Sequence, residues 1–384
     1  MTMDATQTRG APTETVVPFV DLSFATLAVR DRVLERWQTL LAGGGFVNGP
    51  DVEAFEIDFA HYCRTTGAVG VASGLDALRL AVLAFGLEPG DEAIVPANTF
   101  IATVEALVQA GVNPVFVDSS DSDHNIDVDA AAAAIGERTR LLVPVHLYGQ
   151  LSDMVAIREL AEQRSLLVLE DACQAHGASR DGVTPGAASD AAAFSFYPGK
   201  NLGAFGDAGA LATNRDDVAA TVRSLREHGQ SAKYIHEALG YTARLDTLQA
   251  IVLQEKLRHL DRWNAERVAA AAYYDELLRP VGDLRLPPVP AGSAPVWHLY
   301  VVRTEDPVRL ASYLRDRGIS TGFHYPQPPH LSPALAHLGL KPGSFPNAEA
   351  QAREAISLPI FPGITEAQLA AVVEGIQAFF ASGG

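Results

Sequence analysis

Apolar side chains recur at helical spacing from 24 to 41 and stop at Gly43-Gly44-Gly45, where the backbone needs freedom. After the Gly49-Pro50 turn the spacing predicts a second helix over 51–62, with Asp51 as its cap. Val69 to Ala72 is a short buried-strand pattern, and Ser73-Gly74 opens a helix over 75–85. The runs 91–97, 113–118, 140–145, 166–169 and 191–194 are apolar enough to be covered on both faces, with a helix expected over 98–110. Strands alternating with helices in this way predict an α/β unit with a mostly parallel sheet. Functional groups are then expected at strand C-terminal ends, which carry Thr99 and Phe100, His146 to Gly149, Glu170-Asp171, and Ser195.

Helical patterns over 216–228 and 245–260 follow, joined by a loop over 229–243. The proline-rich stretch 282–290 reads as a junction. Beyond it come a strand over 296–303, a helix over 308–317, a loop over 324–330 and a final helix over 366–381. The expected division is a leader over 1–17, a large domain over 18–262 with an N-terminal arm, and a smaller α+β domain over 263–384.

Composition narrows the function classes. The formal net charge is −17, which argues against a general binder of nucleic acid or anionic membrane, since either needs a basic footprint. The leader has no apolar core of signal-peptide length, and no stretch reaches the roughly 18 apolar residues of a membrane span. Cys63 and Cys173 are the two cysteines, and neither stands at metal-ligand spacing. A reduced cytoplasm is the simplest expected home.

Lys200 stands out within SFYPGKNLGAFGDAGA, 195–210, among small residues and turn formers, with no carboxylate nearby before Asp207. Held behind a buried strand, such a lysine is desolvated, its pKa falls, and its neutral amine is a nucleophile fit for a Schiff base. The plainer reading is a solvated loop lysine. Ser73-Gly74 offers backbone N–H groups and a hydroxyl at the positive end of a helix, where phosphate binds; an ordinary capped helix is the alternative. Asp171 ends a buried strand, a costly place for a carboxylate unless it meets a cation such as a protonated pyridine nitrogen, caps a helix or pairs with an arginine. Phe46 reads equally as loop packing or as a substrate-lining residue.

Taken together, GGGFVNGP, GVASGLDAL, VPANTFIAT, VHLYGQ, LEDACQAHGA, SFYPGKNLGAFGDAGAL, RLDTLQA and FHYPQPPHLSPA stand in the order of a known family. From about Val17 onward the chain resembles the pyridoxal-phosphate-dependent nucleotide-sugar aminotransferases, the DegT/StrS group of fold-type I aminotransferases. The resemblance implies that Lys200 is the Schiff-base lysine, Asp171 the partner of the pyridine nitrogen, and Gln174 a contact to the ring hydroxyl. It also implies that Phe100 stacks on the cofactor ring, while Ser73, the amides of Gly74 and Leu75, and Ser195 hold its phosphate. Two positions depart from the family pattern. Thr242 stands where the family often has an asparagine that reaches the neighbouring subunit's cofactor phosphate, and Leu75 where it often has threonine.

By the same resemblance the enzyme takes an amino group from L-glutamate to a nucleotide-linked keto sugar, first of all a dTDP-3-keto-6-deoxyhexose. A UDP-linked 3-keto sugar or a dTDP-4-keto sugar is the rival acceptor. Sugar dehydratases on the same fold generally carry histidine at the position of Lys200, which argues against that activity, and Lys200, Asp171 and Gln174 together argue against a silent regulator. The resemblance further implies a homodimer with shared active sites. His324, Tyr325 and His330 are expected near the substrate, and no metal is expected, because three prolines make this segment extended and unable to present ligands on one helix face.

Overall fold

The computed structural model describes residues 15–383; residues 1–14 of the expected leader lie outside them. Val17, the last residue of that leader, is buried and bridged to Ile319. Two helices lead in, α1 (Ser23–Gly43) and α2 (Pro50–Cys63), as the periodicity predicts.

A seven-stranded sheet follows. Its strands are β1 (Gly67–Val71), β2 (Glu92–Pro96), β3 (Asn113–Val117), β4 (Thr139–Leu142), β5 (Leu167–Asp171), β7 (Ala191–Ser195) and β8 (Gly209–Thr213). They lie in the order β1-β8-β7-β5-β4-β2-β3, and all run parallel except β8. Alternate residues of one strand enter different cores, so both faces are apolar. Ala191 and Ala193 pack with α3 (Gly74–Ala84), α4 (Ile101–Gln109) and α7 (Asp216–Leu225), while Ala192 and Phe194 pack with α2 and α8 (Thr247–Leu257). Further along, Ile94, Leu142 and Val168 meet α5 (Val128–Ala134) and α6 (Met154–Arg164). This two-sided cover is what a parallel sheet of near-continuous apolar strands requires.

Three short pairs lie outside the main sheet. They are β6 (Ser179–Arg180) with β11 (Ser293–Ala294), β9 (Gln230–Ala232) with β10 (Ile235–His236), and β12 (Tyr300–Arg303) with β13 (Ala355–Leu358). The last pair packs with α10 (Pro307–Arg315), α12 (Glu366–Ala381) and the second half of α9 (Leu260–Leu278) in a second core. Helix α9 is continuous across both cores: Leu260 belongs to the first, whereas Ala270, Tyr274 and Leu278 belong to the second. The strand expected over 296–303 is shorter, because Trp297 has φ 47° and Val296 N–H turns to the Gly149 carbonyl instead. Helix α11 (Pro346–Glu354) precedes β13.

Candidate active site

The C-terminal edge of the sheet opens into a cavity of about 500 Å³. Ser73, Gly74, Leu75, Phe100, Asp171, Gln174, Ser195, Lys200, His324 and Tyr325 all line it. The strand order brings these residues together: each parallel strand ends here, and the antiparallel β8 starts here. The loop carrying Lys200 is therefore the connection of a hairpin, with both ends fixed by the pairing of Ser195 with Gly209.

Lys200 has its pKa lowered chiefly by desolvation, against the opposing pull of Cys173 and Asp171. This shift favours a neutral amine. Its loop is held from outside the cavity, where Lys256 donates to the Gly203 carbonyl at 2.7 Å. Beside it, Asn201 donates to Asn264 and to the Val296 carbonyl, both at 2.9 Å, and accepts from His298 Nδ1 at 3.2 Å. Burial, with the charge of Lys200 nearby, pushes the His298 pKa well down, so the ring is neutral with its proton on Nδ1.

Asp171 is buried, accepting from the Cys173 amide at 3.1 Å and from the Thr103 hydroxyl at 2.7 Å. Since Thr103 gives its proton to Asp171, it receives one from Thr99, 2.7 Å away. The two hydroxyls, one helical turn apart at the start of α4, orient the carboxylate. No cation pairs with it among the described residues, which leaves a buried negative charge facing the cavity. Its neighbour Glu170 points to the other face of the sheet and is satisfied there by His146, Ser189 and the Gly186 amide.

Gln174 accepts from the Tyr148 amide at 2.7 Å and donates to the Tyr325 hydroxyl at 3.0 Å. Phe100 lies 5.2 Å from Tyr325, ring to ring, and His324 is stacked on Phe19. At the opposite end Ser73 caps α3, and the Gly74 and Leu75 amides have no acceptor among the described residues. A Cβ on Gly74 would meet Cys173 Sγ at 2.7 Å and Ser195 Cβ at 2.8 Å, and one on Gly209 would meet the Ser73 backbone at 2.4 Å. Glycine at both positions lets strand and helix approach closely enough to form an anion cradle.

Three expected residues are elsewhere. His330 is buried, held by Glu349 at 3.2 Å and flanked by Phe116 and Phe345, so it fixes the loop over 324–330 and does not face the cavity. Phe46 is largely exposed, and its carbonyl receives the Thr247 amide. Thr242, on an exposed loop, bonds to His228 at 3.1 Å and does not line this chain's own cavity. Among the described residues no group of three or more His, Cys, Asp or Glu side chains is placed to hold a metal ion.

Thr103, His298, Arg267, Phe19 and Val20 also line or support the cavity without having been singled out by sequence reasoning. Arg267 carried a signal: it falls in line with Trp263, Ala270, Ala271, Tyr274 and Leu278 on the buried face of α9, an unusual place for an arginine.

The donor set fits pyridoxal phosphate. An uncompensated buried carboxylate suits a ring N–H, a desolvated lysine suits its carbonyl, and a cradle of free amides suits its phosphate.

Residues 28–377 match the DegT/DnrJ/EryC1/StrS aminotransferase family. The erythromycin biosynthesis sensory transduction protein EryC1 of Saccharopolyspora erythraea is 48% identical, over 91% of this chain and 95% of that protein. The dTDP-3-amino-3,4,6-trideoxy-alpha-D-glucose transaminase of Streptomyces venezuelae is 46% identical, over 94% and 95%. A crystal structure of S. venezuelae DesV superposes with a TM-score of 0.93 at 46% identity, covering 95% of this chain and 98% of that one.

Proposed function

Because the chain belongs to the DegT/DnrJ/EryC1/StrS aminotransferase family, a pyridoxal-phosphate-dependent family, it is a transaminase, and we propose that it aminates a nucleotide-linked 3-keto sugar. The acceptor in this reading is a dTDP-3-keto-6-deoxyhexose and the donor L-glutamate. The near full-length identity to a protein named as a dTDP-3-amino sugar transaminase carries it.

When bound, pyridoxal phosphate supplies a carbonyl carbon that takes up the amino group and a ring that draws electrons from the neighbouring carbon. In the proposed assignment Lys200 Nζ, its pKa lowered by burial, would shuttle a proton between the donor α-carbon and the cofactor. Asp171 Oδ holds the ring-nitrogen proton, with Thr103 and Thr99 fixing its direction. Gln174 would contact the ring hydroxyl, Phe100 would stack on the ring, and Ser73, Ser195 and the Gly74 and Leu75 amides would hold the phosphate; all of them line the cavity. In this reading His324 and Tyr325, which line the cavity, would contact the substrate.

The working form in this reading is a cytoplasmic homodimer. Leu27, Leu34 and Leu41, 59%, 47% and 66% exposed, stand seven residues apart on α1 and give it an apolar face. Thr242, outside its own cavity, would in this reading serve a partner's site.

Turnover of dTDP- and UDP-linked 3-keto and 4-keto sugars with L-glutamate tests the reading. The highest kcat/KM is expected for a dTDP-3-keto sugar, and amination confined to 4-keto sugars would overturn it.

A further inference from the structure

The carboxylate of Asp76 lies directly behind the anion cradle. Ser73 Oγ accepts from the Asp76 amide at 3.1 Å and donates to Asp76 Oδ2 at 3.0 Å. Its one hydroxyl hydrogen is therefore committed to a residue outside the cavity lining, and Leu75 adds no hydroxyl of its own. A negative charge in the first turn suits a helix by itself, but a phosphate held at the same turn would be repelled by it. Arg79, one turn further along α3, answers that charge with Nη2 at 2.5 Å from Asp76 Oδ1. The two side chains are 19% and 17% exposed, so water screens them far less than it screens a surface ion pair. The guanidinium is itself fixed, 4.2 Å over the Tyr241 ring, with Nη1 donating to Gln109 at 3.3 Å. Its Nε is buried without a partner among the described residues. A buried donor left unpaired is costly, and α3 does not need the pair for its own cap, which Ser73 supplies.

We propose that Arg79 is a positioning residue for the cofactor phosphate. Paired with Oδ1, it cancels the charge of Asp76 behind the cradle. It also keeps that carboxylate bonded when the Ser73 hydrogen turns from Oδ2 to a phosphate oxygen. No proton passes between residues in this step: the hydroxyl rotates about its Cβ–Oγ bond while Oγ goes on accepting from the Asp76 amide. Arg79 does not line the cavity, so it acts through Asp76 and Ser73. The inference rests on the reading that the Ser73 turn receives the phosphate, and adds what lets that turn hold a dianion despite Asp76.

The test compares pyridoxal 5′-phosphate with pyridoxal, which lacks the phosphate. Cofactor is removed from the full-length enzyme, and each ligand is titrated back while visible absorption reports binding. The variants are Arg79→Met, which keeps bulk over Tyr241 without the charge, and the double variant Asp76→Asn with Arg79→Met, which removes both charges. Arg79→Met is expected to raise the dissociation constant of pyridoxal phosphate about 10-fold or more and to leave that of pyridoxal within about 3-fold of wild type. In the double variant the preference for the phosphate should return to within about 3-fold of wild type, since no charge is left to cancel. An ion pair that only steadies α3 would weaken both ligands alike, or lower Tm without touching their ratio, and each of these results overturns the proposal. So does a double variant that binds no better than Arg79→Met. Should Arg79→Met fail to fold, Asp76→Asn alone decides: relieved of the like charge, it should bind pyridoxal phosphate at least as tightly as wild type, and selective loss of the phosphate ligand refutes the charge argument. A wild-type enzyme that binds pyridoxal as tightly as its phosphate would instead sink the cradle reading itself.

Discussion

Removing the Lys200 amine takes away the group proposed to move the proton. Lys200→Ala is expected to fold and to show neither transamination nor a borohydride-trapped cofactor adduct; turnover in that variant would refute the assignment. Thr103→Val keeps the shape but frees Asp171 Oδ2, so kcat should fall about 10-fold with little change in KM. An unaltered kcat would show that the carboxylate needs no such support. His330 makes the opposite prediction to the one its motif suggests. It is sandwiched between Phe116 and Phe345, so His330→Ala should lower Tm and leave the sugar-nucleotide KM unchanged. Steady-state kinetics beside a melting curve separates the two. The sequence places histidine near proline and tyrosine, but Phe116 is distant in the chain, and no local pattern announces that contact.

Among the elements, β1, α3, β2 and β5 were legible because their apolar residues run unbroken or in period and Ser, Gly and Pro punctuate them. Strand β8 was not. GALAT has small side chains apart from Leu211 and merges with the glycine-rich loop before it, so the antiparallel return of the hairpin is invisible without its pairing to β1 and β7. Helix α9 was missed for another reason: its buried face carries Asn264 and Arg267, which break the apolar stripe that periodicity relies on. Much of the cavity lining was therefore readable by motif, whereas the part contributed by Arg267 and His298 was not. The close approach of β8 to the Ser73 turn gives a further test. In Gly209→Ala a methyl group would occupy space filled by the Ser73 backbone, and the α3 amides must shift. The dissociation constant of the cofactor should rise about 10-fold or more while the far-ultraviolet circular dichroism stays the same.

At the scale of the whole molecule, buried neutral histidines link stability to pH. Desolvation holds His124 and His324 at about 4 and His176 at about 3, below the ordinary value of 6.5. The unfolded chain therefore binds more protons than the folded one between those values, and stability rises with pH there. Tm should be flat with respect to these groups above pH 7 and fall progressively from about pH 6.5 towards pH 4, as a pH series by calorimetry would show. The placement of β8 has a consequence in time as well. Strand β1 pairs with no strand of the main sheet except β8, about 140 residues later in the chain. At a synthesis rate of ~5–20 residues per second, the ribosome makes that partner roughly 7 to 28 seconds after β1. The proposed phosphate cradle follows β1 directly, so it is among the first parts of the protein to be made and yet must wait for β8 to be completed.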